Sequence, residues 1–231
     1  SYSVTGVQTC ALPIYMNSVV VNYDAKMPHD DVGALEAKLE ELFQALQYVP
    51  PKDGRIFFKP NLCGRDPKLK SENISGAFLE ALIRVFTKYN CKILIGHTSL
   101  LGTIEIDYPF EKLAAAENYD KIAARYSNVE LLNLDKVPQK KIQKDKILFE
   151  IPAILDEVDQ YINITKLKTH AQTTASLSLK NAMGTCSMSN RKLMHYLDVH
   201  HYISELATII KPTLNIIDGI LAMEGDRKSV V

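Results

Sequence analysis

An α/β domain, with a largely parallel sheet and helices on both faces, is what the sequence predicts, and three observations carry the prediction. Apolar runs of strand length alternate with amphipathic stretches of helical period. The apolar runs end on polar residues able to bind or ionise, as strands do where an α/β sheet meets its ligand. No repeat, low-complexity tract or linker interrupts the alternation, so a single domain accounts for it.

The elements follow in order. Val19-Val20-Val21 reads as a short buried strand. Val32, Leu35, Leu39, Leu42, Phe43 and Leu46 then recur at helical spacing, and Pro50-Pro51 with Asp53-Gly54 ends that helix. Arg55-Ile56-Phe57-Phe58 is a second strand, closed by Lys59-Pro60. Phe78, Leu79, Leu82, Ile83 and Phe86 mark a second helix, capped by Asn73 or Ser75, and Cys91 to Ile95 is a third strand. Phe110 to Ala124 has helical character, while Val129 to Leu134 and Ile147 to Ile151 read as strands. Asp159 to Ile164 is a strand leading into a Lys-rich loop, with a helix expected from there through Ala182. A helix over Val199, Ile203, Leu206 and Ile210 and a strand at Leu214 to Ile217 complete the chain.

The ends of the sequence read differently. Residues 1–15 and 227–231 resemble translated sequencing adapter, which leaves 16–226 as the domain. The abrupt stop after Met223-Glu224-Gly225 predicts a domain truncated at its C-terminus.

Composition narrows the function. The 27 Lys and Arg balance 27 Asp and Glu, which argues against a nucleic-acid partner. No apolar run approaches bilayer length, so no membrane span is expected. Cys63, Cys91 and Cys186 are few and scattered, as suits reduced thiols in the cytoplasm, and no Cys-x-x-Cys pair is present to hold an iron–sulfur cluster. The Gly-x-x-x-x-Gly-Lys-Ser/Thr, Gly-x-Gly-x-x-Gly and Gly-x-Ser-x-Gly signatures are absent, which disfavours a P-loop enzyme, a dinucleotide dehydrogenase or a serine hydrolase.

The candidate site lies at the strand ends. Lys59-Pro60-Asn61 follows one strand, Gly96-His97-Thr98-Ser99 another, Lys166-Leu167-Lys168-Thr169-His170 a third and Asp218-Gly219 a fourth. Any one could be an ordinary polar loop, but four converging ends point to a shared site. Proline biases Lys59 toward an extended backbone and fixes the chain's exit toward Asn61. On the expected helix, Thr169, Thr173, Ser176 and Lys180 fall on one narrow face, a hydroxyl stripe suited to phosphate or carboxylate. His170 is the acid/base candidate because imidazole titrates near neutrality. The histidines and cysteines lack the spacing of a zinc site, so no metal is assigned.

These motifs resemble domain-of-unknown-function family 362. The resemblance runs from about Val19 to Gly225 and is carried by Phe58-Lys59-Pro60-Asn61-Leu62, Ile164-Thr165-Lys166-Leu167-Lys168-Thr169-His170, Leu179-Lys180-Asn181-Ala182-Met183-Gly184 and Ile217-Asp218-Gly219-Ile220. Thr165 stands where the family pattern usually has proline. Many relatives carry a ferredoxin-like iron–sulfur module, so the resemblance implies a redox link and a cluster-bearing partner region outside this segment.

The combined expectation is an enzyme-like domain binding a small anionic substrate or cofactor. Lys59, Lys168 and Lys180 would supply positive charge. Asn61, Lys166, Thr169, Thr173, Ser176, Asn181 and Asp218 would complete the ligand contacts, with His170 and Lys168 in the chemistry. The competing expectation is a non-catalytic accessory module that binds a metabolite or docks to an iron–sulfur electron carrier.

Overall fold

The computed structural model describes residues 19–22, 24, 26–64, 71–100, 108–225 and 229–230. Most of the two segments read as adapter lies outside these residues. In chain order the first elements are helix α1 (Val32–Ala45), strand β1 (Arg55–Pro60), helix α2 (Gly76–Thr87) and strand β2 (Lys92–His97). Short helices α3 (Phe110–Ala116) and α4 (Tyr119–Ala123) lead to strands β3 (Val129–Asn133), β4 (Gln139–Lys144) and β5 (Ile147–Pro152). Then come strands β6 (Gln160–His170) and β7 (Thr174–Ser176), helices α5 (Ser178–Asn181), α6 (Met188–Tyr196) and α7 (Val199–Ile209), and strands β8 (Leu214–Glu224) and β9 (Ser229–Val230).

The main sheet runs β3-β2-β1-β6-β8-β9, and every neighbouring pair from β3 to β8 is parallel. β7 and β9 add antiparallel to β6 and β8, while β4 and β5 form a separate hairpin. The central strands are buried on both faces, which is why they read as unbroken apolar runs. Alternate side chains serve two cores. Ile56, Phe58, Ile93, Ile95, Ile162 and Ile164 pack with α1, α2 and α4. Phe57, Leu94 and Tyr161 pack on the opposite face with β5, Met183, Met194 and α7.

The chain moves outward from β1 through β2 to β3, then returns past β1 to β6 and continues outward to β8. The order of connection therefore reverses between β1 and β6. At such a switch the loops leave in opposite directions and open a crevice beyond the C-terminal strand ends. Lys59-Pro60-Asn61 and the end of β6 meet there, joined by a hydrogen bond from Asn61 N–H to the Ile164 carbonyl at 2.8 Å.

Several local expectations are corrected or narrowed. Val19 and Val21 are each 58% exposed and form no strand, because no neighbouring strand offers them a ladder. Ser75 caps α2 by accepting from Phe78 N–H, whereas Asn73 is committed to the preceding loop. The Phe110–Ala124 helix is broken at Asn118, which adopts a left-handed conformation between α3 and α4. Leu214 to Ile217 is the start of an eleven-residue strand.

The largest correction concerns the helix expected after His170. β6 continues through His170, turns back and pairs with β7 in the register Lys168↔Ser176, Thr169↔Ala175 and His170↔Thr174. Threonines favour extended backbone, and Thr174 adopts a positive φ of 62° that a helix cannot contain. Ser176 consequently faces Lys168 across a ladder. Thr169, Thr173, Ser176 and Lys180 form no helical stripe.

Candidate functional site

The site begins with a lysine that has no contact with solvent. Lys59 shares the sheet face of Phe57 and is 0% exposed. Its Nζ donates to the Pro60 carbonyl at 2.9 Å and to Asn181 Oδ1 at 3.3 Å. Among the described residues no carboxylate pairs with it. Burial first, then the charges of Arg191 and Lys168, hold its pKa well below the ordinary 10.5, against a smaller opposing pull from Cys63.

Asn181 ties the two sides of the switch together. Its Nδ2 donates to Asn163 Oδ1 at 2.7 Å, the Lys59 carbonyl at 3.1 Å and the Ile164 carbonyl at 3.3 Å. Its Oδ1 accepts from both Lys59 and Asn61 Nδ2, the latter at 3.3 Å. Asn163 is held in turn by Ser178 and Asn215. Asn61 Oδ1 is buried and has no hydrogen-bond partner among the described residues.

Further cations close in. Lys168 donates to Cys63 Sγ and to the Glu72 carbonyl at 2.8 Å. The loop bearing Cys63 is shaped by Asn73, whose Oδ1 accepts from the N–H groups of Cys63 and Gly64 at 2.8 Å each. Arg191, on α6, donates to the carbonyls of Cys186 and Ser99 and reaches Asp135 at 3.4 Å.

His97 stands at the end of β2, 4% exposed. Its Nδ1 lies 2.6 Å from the Thr98 carbonyl, an acceptor only, so Nδ1 carries the proton and Nε2 keeps its lone pair. Burial, followed by the charge of Lys59, holds its pKa well below 6.5, so the ring is neutral. Gly184 makes this crowding feasible. A methyl group at its Cα would lie 2.8 Å from Lys59 Nζ and 3.2 Å from His97 Nε2.

Lys59, Asn61, Lys168 and Asn181 thus lie together at the switch, whereas Lys166 and Asp218 lie elsewhere. They form a 2.6 Å ion pair, each 2% exposed, on the face of Ile162 and Ile164. This pair lines a cleft of about 500 Å³ with Glu117, Lys121, Arg125 and the start of α2. Burial raises the pKa of Glu117 there, opposed by a hydrogen bond from Asn73.

The remaining expected residues sit on or beside the β6–β7 hairpin. His170 Nδ1 accepts from Gln172 N–H at 3.1 Å, and Gln172 Oε1 lies 2.6 Å from His195 Nδ1. Thr173 Oγ1 donates to the Ala175 carbonyl, and Lys180 Nζ approaches Met183 Sδ at 3.7 Å. Among the described residues no three His, Cys, Asp or Glu side chains are grouped to hold a metal.

Sequence reasoning assigned no role to Arg191, Asn163 or Cys63 and placed His97 only among the polar groups at a strand end. Asn163 carries a readable signal, a lone amide inside an apolar strand, since a buried polar group must find a partner. Arg191 carries none, because it is distant in sequence from every strand end.

Comparison with known proteins gives the chain's family. A family model described as Domain of unknown function (DUF362) matches residues 56–230, and the chain belongs to that family. The thylakoid-associated protein sll1697 of Synechocystis sp. is 36% identical over 218 residues, a match covering 85% of this chain. The chain spans 62% of that relative's length. No helix among the described residues is long and apolar enough to cross a membrane.

Proposed function

We propose that this chain is an enzyme-like domain that binds a small anionic substrate or cofactor at the β1–β6 switch. The observation that supports it is the buried Lys59 amine, which has a carbonyl and an amide oxygen as acceptors and no described carboxylate to neutralise it. Buried charges are costly unless paired, so a cationic cluster of this kind favours an incoming anion. Lys168 and Arg191 add charge, and Asn61 and Asn181 orient the ligand. Among the described residues nothing donates to Asn61 Oδ1, so a ligand donor would find an acceptor there.

A redox link is part of this reading. It draws on Cys63, whose sulfur accepts from Lys168 at the same strand end, and on a ferredoxin-like module as electron partner. We place the activity in the cytoplasm, with the thylakoid association named for the Synechocystis relative as the competing location.

Calorimetric titration with inorganic phosphate and with lactate tests the anion site. Lys59→Met and Lys168→Met should each weaken binding about tenfold or more, ~1.4 kcal/mol. Binding of equal strength in both variants and the unaltered chain would overturn the assignment.

A further inference from the structure

We infer that the cleft on the α2 face of the sheet is a second ligand site, and that it takes a free α-amino acid with an apolar side chain. It lies on the opposite face of the sheet from Lys59 and goes beyond the anion site proposed above.

The cleft has the room. Its volume of about 500 Å³ is within the range of small-molecule pockets. Its lining brings hydrogen-bond donors and a carboxylate together. Lys166 is 2% exposed and lines the cleft, and Asp218 Oδ2 is its one acceptor among the described residues. An ammonium has three N–H donors, so the ion pair balances the charge of Lys166 but leaves two donors without a described partner. The first turn of α2 adds to them. Ser75 takes the Phe78 N–H on its side chain and the Leu79 N–H on its carbonyl. The N–H groups of Gly76 and Ala77 come too early in the helix for an intrahelical partner, and both residues line the cleft. Donors at the positive end of a helix dipole, beside a lysine, suit a carboxylate.

Glu117 supplies the opposite charge. Its Oε1 accepts from Asn73 Nδ2 at 2.9 Å, and among the described residues no cation forms an ion pair with it. Burial raises its pKa, so a bound ammonium would offset a cost that the fold leaves standing. The donors are close by. Gly76 packs so tightly on the Glu117 backbone that a methyl group at its Cα would collide with the Glu117 carbonyl oxygen. The charge of Lys166 also acts on the Glu117 carboxyl. Donors for a carboxylate beside an acceptor for an ammonium match the zwitterionic head of an α-amino acid, whose two charges hang from one carbon.

The walls select the side chain. Val32, Phe78, Ile122, Ile220 and Leu221 line the cleft. Lys121 and Arg125 also reach it, but they are engaged by Asn118 and Glu80. An entering side chain therefore meets mainly apolar surface.

Calorimetric titration of the unaltered chain with L-leucine tests this, beside 4-methylpentanoate, which lacks the amine, and 3-methylbutylamine, which lacks the carboxylate. L-Leucine should bind, and each single-headed analogue should bind about tenfold or more weakly. Glu117→Gln keeps an acceptor for Asn73 while removing the charge. It should weaken L-leucine about tenfold and leave 4-methylpentanoate unchanged. No binding of L-leucine, or either analogue binding as tightly, would overturn the inference. So would equal L-leucine affinity in Glu117→Gln, which would put the amino acid elsewhere. The ligand series on the unaltered chain is decisive by itself should the variant fail to fold.

Discussion

Lys59 and Lys166 lie on adjacent strands, β1 and β6, on opposite faces of one sheet, and both are sealed from water. Lys166 has a carboxylate, Asp218, at 2.6 Å. Lys59 has carbonyl and amide oxygens, with two further cations for company. The first arrangement neutralises its charge within the fold. The second leaves an electrostatic demand that an anion, or loss of a proton, must meet. Burial by itself therefore does not separate the two lysines; the presence or absence of a counter-charge among the described residues does.

The sharpest way to break this contrast is to convert the paired face into an unpaired one. Asp218→Asn keeps the shape but strands Lys166, and should cost about 3–5 kcal/mol, read from urea denaturation. Lys166→Met combined with Asp218→Leu should recover most of that loss. A single variant as stable as the unaltered chain would show that the ion pair carries little.

A smaller effect is expected at Gly184. Gly184→Ala drives a methyl against Lys59 Nζ and His97 Nε2, and should cost about 1–3 kcal/mol while weakening anion binding without deleting a charge. Unchanged calorimetric binding would mean that the packing of Lys59 is incidental.

The smallest effect has the opposite sign. Lys59→Met should stabilise the fold at pH 7 by on the order of 1 kcal/mol, because it removes a buried amine that folding shifts away from its ordinary protonated form. The pH dependence distinguishes this from simple repacking. The folded-state pKa of Lys59 is lowered, so the unfolded chain binds the proton more tightly. That penalty is largest below the folded pKa and fades as pH rises toward 10.5. The advantage of Lys59→Met in denaturation midpoint should shrink over the same range. A constant advantage would place the effect in packing.

Much of the sheet was legible because its central strands are buried on both faces. Arg55–Pro60, Lys92–His97 and Val129–Asn133 stand where apolar runs placed strands. The polar β4 was not anticipated, since Gln139–Lys144 alternates half-buried and exposed residues in a hairpin outside the main sheet. The Thr169–Lys180 region was misread because spacing by four, three and four fits a helix arithmetically. Spacing does not register that Thr174 turns with a positive φ.

The sequence alone determined the α/β class, the family resemblance and the strand ends at which polar groups collect, because apolar periodicity and strand termination are local properties of the chain. Only the tertiary structure decided which of those groups meet. It brought Asn181 and Arg191 to Lys59 from well over a hundred residues away and sent Lys166 to the opposite face with Asp218. The physical reason is that side-chain direction in a strand reverses with each residue, while strand order is set by packing across the whole sheet. Whether a buried lysine meets a carboxylate or an amide is fixed only once both are in place.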